Sequence, residues 1–238
     1  MSKKEFGLLA LVSVFFLVGS TSAPAQGAAN AKYKEGIHYT AIENAPMTDG
    51  KTVEVAEAFS YLCPHCASFE PYISSWEQRK PENVRFRRIP VVFGRSTWEI
   101  YARAYVTAEL MGVADASHSA LMDKLWKEKE VLRNMEELGQ FYAAFGVDPA
   151  KFVATSKSFA VDAKLRKDQR DVQTFGVTGT PSLVVNGKYL VAGNQAVANY
   201  DVMLDVVDYL VSLESASGKV AATTQEAAAE RENLQPGD

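Results

Sequence analysis

The sequence is almost without cysteine. It has two in 238 residues, Cys63 and Cys66, so no disulfide framework holds the fold together. A bridge between residues three apart closes a very short loop, and the stabilisation from closing a loop grows with its length. The pair is therefore a poor staple and is read as a reactive one. Histidine is also scarce, with three in the chain. Only His65 lies between the cysteines, and no further cysteine is present to complete the second ligand pair that structural zinc sites usually recruit. Charge of one sign is not in excess: 25 Lys and Arg against 29 Asp and Glu leave a net charge of −4, which excludes the basic footprint of a nucleic-acid binder. Beyond the N-terminus no apolar run approaches the roughly 20 residues that a bilayer span needs. No internal repeat is visible.

What is present begins with a targeting pattern. Lys3 and Lys4 precede an apolar run over residues 6–18, and Ala23-Pro24-Ala25 supplies small residues for cleavage. This reads as a secretory signal peptide over residues 1–25. An uncleaved anchor is the weaker reading, because the apolar run is short. The remainder is expected in the periplasm or another exported space, where disulfides persist.

Residues 52–59 alternate and are rich in strand formers, which predicts a strand. The two-residue period puts Val53, Val55, Glu57 and Phe59 on one face, with the Glu57 carboxylate as the odd member. Phe69, Tyr72, Ile73 and Trp76 then recur at helical spacing and predict a helix over 64–77. A second strand is expected over 83–93, with Val84, Phe86 and Ile89 as its apolar members. From 95 to 156 the pattern is helical throughout. Gly112 stops the first of these helices and Asp115 is expected to cap the next. Asn134 three residues before Glu137, and Asp148 before Pro149, mark two more starts. A helix carrying Val161, Leu165, Val172 and Phe175 follows. Strands at 182–185 and 189–191 flank Asn186-Gly187, a strong hairpin signal, and residues 199–213 form a last amphipathic helix. The polar tail 215–238 is expected to be disordered. This order matches an α/β thioredoxin topology, in parts at 33–94 and 157–214, with an inserted all-helical domain at 95–156.

Only a thiolate attacks a disulfide. The strand–helix junction puts Cys63 at a helix start, where free N–H groups and the positive end of the dipole favour the anion. Pro64 and His65 complete the reactive loop, and His65 adds a donor or a positive charge. Cys66, one turn in, is expected to be more buried and to close the ring or resolve a mixed disulfide. A stabilised thiolate is a good leaving group, so the disulfide form is an oxidant. Glu57 has two readings: a buried acid that relays a proton to or from Cys66, or a strand-end carboxylate reaching water. Thr180-Pro181 also has two. One is a cis bond beside a backbone that pairs with an extended peptide; the other is an ordinary trans proline that starts a strand. His38 and His118 have no evident partner and are read as surface or core-satisfied residues. Phe93 is a candidate to line an apolar groove near Cys63.

The stretch Glu57-Ala58-Phe59-Ser60-Tyr61-Leu62-Cys63-Pro64-His65-Cys66 resembles the DsbA family of periplasmic thiol:disulfide oxidoreductases. So do the loop Gly176-Val177-Thr178-Gly179-Thr180-Pro181 and the segment Val185-Asn186-Gly187-Lys188-Tyr189. The resemblance implies Cys63 as nucleophile, Cys66 as resolving cysteine, His65 as thiolate stabiliser, Glu57 as buried acid and Pro181 as a cis-proline. It implies a monomer without a separate cofactor that donates its disulfide to exported proteins with free cysteines. A DsbB-type quinone-linked membrane partner would reoxidise it. Thr180 departs from the best-known enteric member, which has valine there, a difference that bears on partner choice and on release of the mixed disulfide. Two alternatives stand beside this reading: a disulfide isomerase or reductase kept reduced, and a metal-binding thioredoxin-like module built on Cys63, His65 and Cys66.

Overall fold

The strand expected over 52–59 is β2, Val53–Phe59, and the other elements are arranged around it in a computed structural model. The structure describes residues 31–43, 45 and 51–233, with side chains through residue 218. The expected signal segment 1–25 lies outside the described residues.

Four more strands join β2: β1 at Thr40–Ala41, β3 at Val84–Pro90, β4 at Ser182–Val185 and β5 at Tyr189–Ala192. The five-stranded sheet has the order β1-β5-β4-β2-β3. β2 and β3 run parallel, while β4 is antiparallel to β2. A parallel pair needs a crossover, supplied by helix α1, Pro64–Arg79. Every residue of β2 except Glu54 is buried, because both faces of the sheet are covered. Val53 and Val55 pack with Phe69, Ile73 and Trp76 of α1 and with Val206 and Leu210. Ala56 and Ala58 pack on the other side with Ile89, Val172 and Val184.

The hairpin closes as its sequence requires. Asn186 and Gly187 adopt φ of 55° and 66°, the positive pair that a type I′ turn needs. The Asn186 N–H donates to the Glu54 carbonyl at 2.6 Å, which ties the turn to β2.

The inserted helices are α2 at Ser96–Leu110, α3 at Ala114–Trp126, α4 at Met135–Tyr142 and α5 at Pro149–Ser156, followed by α6 at Phe159–Thr174. α6 belongs to both halves. Val161 and Leu165 sit in the helical core with Tyr101, Leu121 and Leu138, while Val172 sits against the sheet. A border near 157 therefore separates the halves less sharply than the sequence pattern suggests. Two of the expected caps are present: Asn134 accepts from the Glu137 N–H at 2.8 Å and Asp148 from the Lys151 N–H at 2.7 Å. Asp115 does not cap α3. Val113 holds that position without a side-chain bond and Asp115 lies in the first turn, where its charge still faces the positive helix end. Replacing Asp148 by Ala should cost about 1 kcal/mol in urea unfolding and leave the reactivity of the cysteines unchanged.

Helix α7, Tyr200–Asn233, overruns the end expected at 213, and its backbone is helical well into the tail. Ala, Glu and Gln, which dominate there, are good helix formers. No helix among the described residues is long and apolar enough to cross a membrane.

Candidate active site

The chain leaves β2 at Phe59 and turns through Ser60, Tyr61 and Leu62. The Ser60 carbonyl accepts from the Cys63 N–H at 3.1 Å, and the Ser60 hydroxyl from the Leu62 N–H at 3.2 Å. Cys63 is the N-cap residue of α1, in extended conformation, and Pro64 takes the first helical position, where a missing N–H is no loss. No conventional side-chain cap closes this helix. The open backbone N–H groups of Cys66 and His65 at this helix start instead favour the Cys63 anion.

Both cysteines are free and buried, yet their surroundings push them in opposite directions. Cys63 is held down to about 5, first by the thiol of Cys66 donating to its sulfur, against the opposing effect of burial, and then by the Thr180 side chain and the two N–H groups. Thr180 presents two groups of opposite preference. Its carbonyl oxygen, 3.4 Å from the sulfur, takes the thiol hydrogen, while its side chain bonds the anion; the balance lies with the anion. Cys66 is pushed far above the ordinary thiol range by burial, by its bond to Cys63 and by the charge of Glu57. One sulfur is thus an anion at neutral pH and the other keeps its proton. His65 is exposed and offers the Cys63 sulfur its backbone N–H.

Glu57 is buried, at 1% exposure, so of its two readings the carboxylate that reaches water is not the one observed. Burial lifts it to about 7 against the pull of Arg88. Arg88 is its direct partner across the parallel β2–β3 register, with Nε 3.2 Å from the carboxylate. The same guanidinium lies 3.8 Å from Glu70 and 3.6 Å from Glu77. Burial works against a charge on Glu70, but His118, Arg88 and Ser119 outweigh it and hold the carboxyl at about 2. His118 is buried in the core: Nδ1 is 3.0 Å from the Tyr61 hydroxyl, while Nε2 lies at ion-pair distance from Glu70, 3.2 Å, without an aligned hydrogen bond. Burial lowers its pKa. His38 is half-buried: its ring packs edge-on against Tyr33 with centroids 5.2 Å apart, and its Nδ1 accepts from the Lys34 N–H at 3.1 Å.

The Thr180–Pro181 peptide is cis; Thr180 touches Cys63, and both residues of the pair line a cavity of about 620 Å³. His65, Tyr72, Thr180, Pro181, Tyr200 and Met203 are among its lining residues. Phe93 is not; it packs on Trp98 with ring centroids 6.0 Å apart. Among the described residues no group of three or more His, Cys, Asp or Glu side chains is placed to hold a metal ion. Sequence reasoning missed Arg88, Glu70 and Tyr200. Arg88 had one available signal, a charge next to Ile89 in an otherwise half-apolar strand. Nothing local marks the other two.

Comparison with known proteins agrees with this geometry. The profile of a family described as DSBA-like thioredoxin domain matches residues 98–205. The thiol:disulfide interchange protein DsbA of Pseudomonas aeruginosa is 36% identical over 188 residues, covering 79% of this chain and 88% of the relative. The protein of the same description from Azotobacter vinelandii is 34% identical over 215 residues, covering 90% and 98%. The solved structure of the oxidoreductase DsbA from Xylella fastidiosa is 36% identical and superposes with a TM-score of 0.70, covering 75% of this chain and 96% of that one. The cysteine pair at a helix start, the parallel β2–β3 unit with its helical insertion and these relatives agree: the chain belongs to the DsbA family of thiol:disulfide oxidoreductases.

Proposed function

We propose that this chain is an exported oxidase that introduces disulfides into other exported proteins. The observation that carries the reading is the asymmetry of the pair, with Cys63 held at about 5 while Cys66 is pushed up. In the forward reaction a substrate thiolate attacks Cys63 Sγ of the oxidised pair. The Cys63–Cys66 bond breaks and Cys66 leaves. Cys66 is a poor leaving group as an anion, so it must take up a proton as it departs. Glu57, at about 7, is the nearby acid suited to give it. A second substrate thiolate then attacks the substrate sulfur of the mixed disulfide, and Cys63 leaves as a stable anion. Two electrons pass from substrate to enzyme.

In this scheme the N–H of His65 helps to hold the Cys63 anion, and Pro64 starts the helix without an unpaired donor. Thr180 and Pro181 form the edge on which an extended substrate segment lies. A DsbB-type quinone reductase in the membrane accepts the two electrons and restores the bridge. The N-terminal pattern supports a periplasmic location, and the enzyme acts as a monomer.

The test is equilibration of the pair in glutathione buffers of known ratio, together with oxidation of a reduced unfolded protein by the oxidised enzyme. The pair should be reduced already in weakly reducing buffer, and each oxidised enzyme should transfer one bridge. A pair that stays oxidised in modestly reducing buffer excludes the oxidase and leaves the reductase reading. Stoichiometric metal capture that blocks the thiols would favour a metal-binding module.

A further inference from the structure

Tyr200 opens helix α7, far along the chain from the cysteines. Asn199 caps that helix start, its side chain accepting from the Val202 N–H at 2.9 Å. The Tyr200 ring packs on Phe69 and Tyr72, with centroids 5.1 Å and 5.3 Å away. Its hydroxyl donates to the carbonyl oxygen of His65 at 3.0 Å. That oxygen belongs to the peptide unit whose other end is the N–H of Cys66, in the first turn of the helix that Cys63 opens, and this N–H is among the groups that favour the Cys63 anion. A single planar amide therefore accepts a hydrogen bond at its oxygen and acts on the Cys63 anion from its nitrogen.

We infer that Tyr200 is a positioning residue for the thiol chemistry: through the His65–Cys66 peptide it orients and polarises the N–H that holds the Cys63 anion. Electron density drawn toward the carbonyl oxygen makes the amide hydrogen a better donor, and linked bonds strengthen one another by about 10–30% each. The plane of the peptide also transmits orientation, since it turns as a rigid unit. The two packed rings keep the hydroxyl aimed at its acceptor. Burial raises the Tyr200 pKa, so the phenol remains a donor throughout the titration of the thiol. The bond is open to solvent on one side, which limits the expected effect to a few-fold. No sulfur anion exists in the bridged form, so the contribution belongs to the reduced protein alone.

This inference rests on the proposed role of Cys63 as the stabilised thiolate, and its test separates the two. Tyr200→Phe keeps the ring packing and removes only the donor. The thiolate is followed by its ultraviolet absorbance against pH, with the glutathione equilibrium and the melting of both redox forms measured alongside. The acid constant of Cys63 should fall about two- to fourfold, and the equilibrium should move by a similar factor toward the bridged form. The reduced protein should lose more stability than the oxidised protein, the excess matching the change in the thiolate. Equal losses in both forms with an unchanged Cys63 titration would mean ordinary packing and would overturn the assignment while the wild-type thiolate stands. A wild-type Cys63 that titrates like a free thiol overturns both this assignment and the oxidase reading. Tyr200→Leu, which also removes the ring, should show the same thiolate change with an added loss common to both forms.

Discussion

Between pH 5 and pH 7 the reduced protein should gain stability relative to the oxidised protein by about 2–3 kcal/mol. The ordinary thiol value is 9.0 and Cys63 is held at about 5 in the folded protein. A group whose folded value is depressed contributes stability that is complete above the unfolded value and vanishes as pH falls through the folded one. At pH 7 the unfolded thiol is still protonated while the folded one is ionised. Roughly two pH units of the linkage are then realised, at about 1.4 kcal/mol each. Cys66 adds nothing in this window, because it is protonated in both states. Glu57 works the other way: its folded value is raised to about 7 from 4.5, so its contribution is present at low pH and lost as pH rises through 7. The groups that shift Glu57 and His118 are burial and neighbouring charges other than the cysteines, so these changes are expected in both redox forms and drop out of their difference. Denaturant unfolding of each form at a series of pH values gives the measurement. An oxidised form more stable than the reduced form at pH 7, or a difference flat from pH 5 to pH 8, would contradict the anion at Cys63.

The second large effect is expected at Arg88. Its guanidinium faces Glu57, Glu70 and Glu77, and both Glu57 and Glu70 are buried. Arg88→Met should destabilise the protein by about 3–5 kcal/mol, because removing one member of a buried ionic group leaves the others uncompensated. The loss should shrink in acid. Without Arg88 the Glu57 value rises further, so the protonated carboxyl is tolerated at low pH and the penalty grows as pH rises. Adding Glu57→Leu to Arg88→Met should recover part of the loss, since an apolar pair of similar volume is often as stable as the ion pair it replaces. A single-variant loss below about 1 kcal/mol, or a double variant no better than the single, would show that the network contributes little. The double variant also separates stability from chemistry: it lacks the proton donor assigned to Cys66, so substrate oxidation should slow even where the fold is restored.

Much of the fold was legible because it is written in neighbouring residues. The alternation of 52–59, the helical spacing after Cys66 and the Asn186-Gly187 turn each appear as expected. The caps at Asn134 and Asp148 are also local, each a side chain reaching an N–H three residues on. Asp115 misled for a related reason: an acidic residue is equally at home as a cap or in the first turn, and one residue of shift exchanges the two. Helix α7 misled through composition, since residues that solvate a tail also favour a helix.

Cysteine spacing and the residues around it determined, without any coordinates, that the pair reacts and that Cys63 is the sulfur at the helix start. The depth of Glu57 was not decidable in that way, because burial of a strand residue depends on what covers each face of the sheet. Nor was its pairing with Arg88, since the register of parallel strands joined through a helix is written in no turn. The Tyr200 hydroxyl reaches a carbonyl 135 positions away in sequence, and only the packing of α7 against α1 brings the two together. Local chemistry singled out Cys63 as the candidate nucleophile; long-range packing chose the groups that set its charge, because those groups reach it only when the chain is folded.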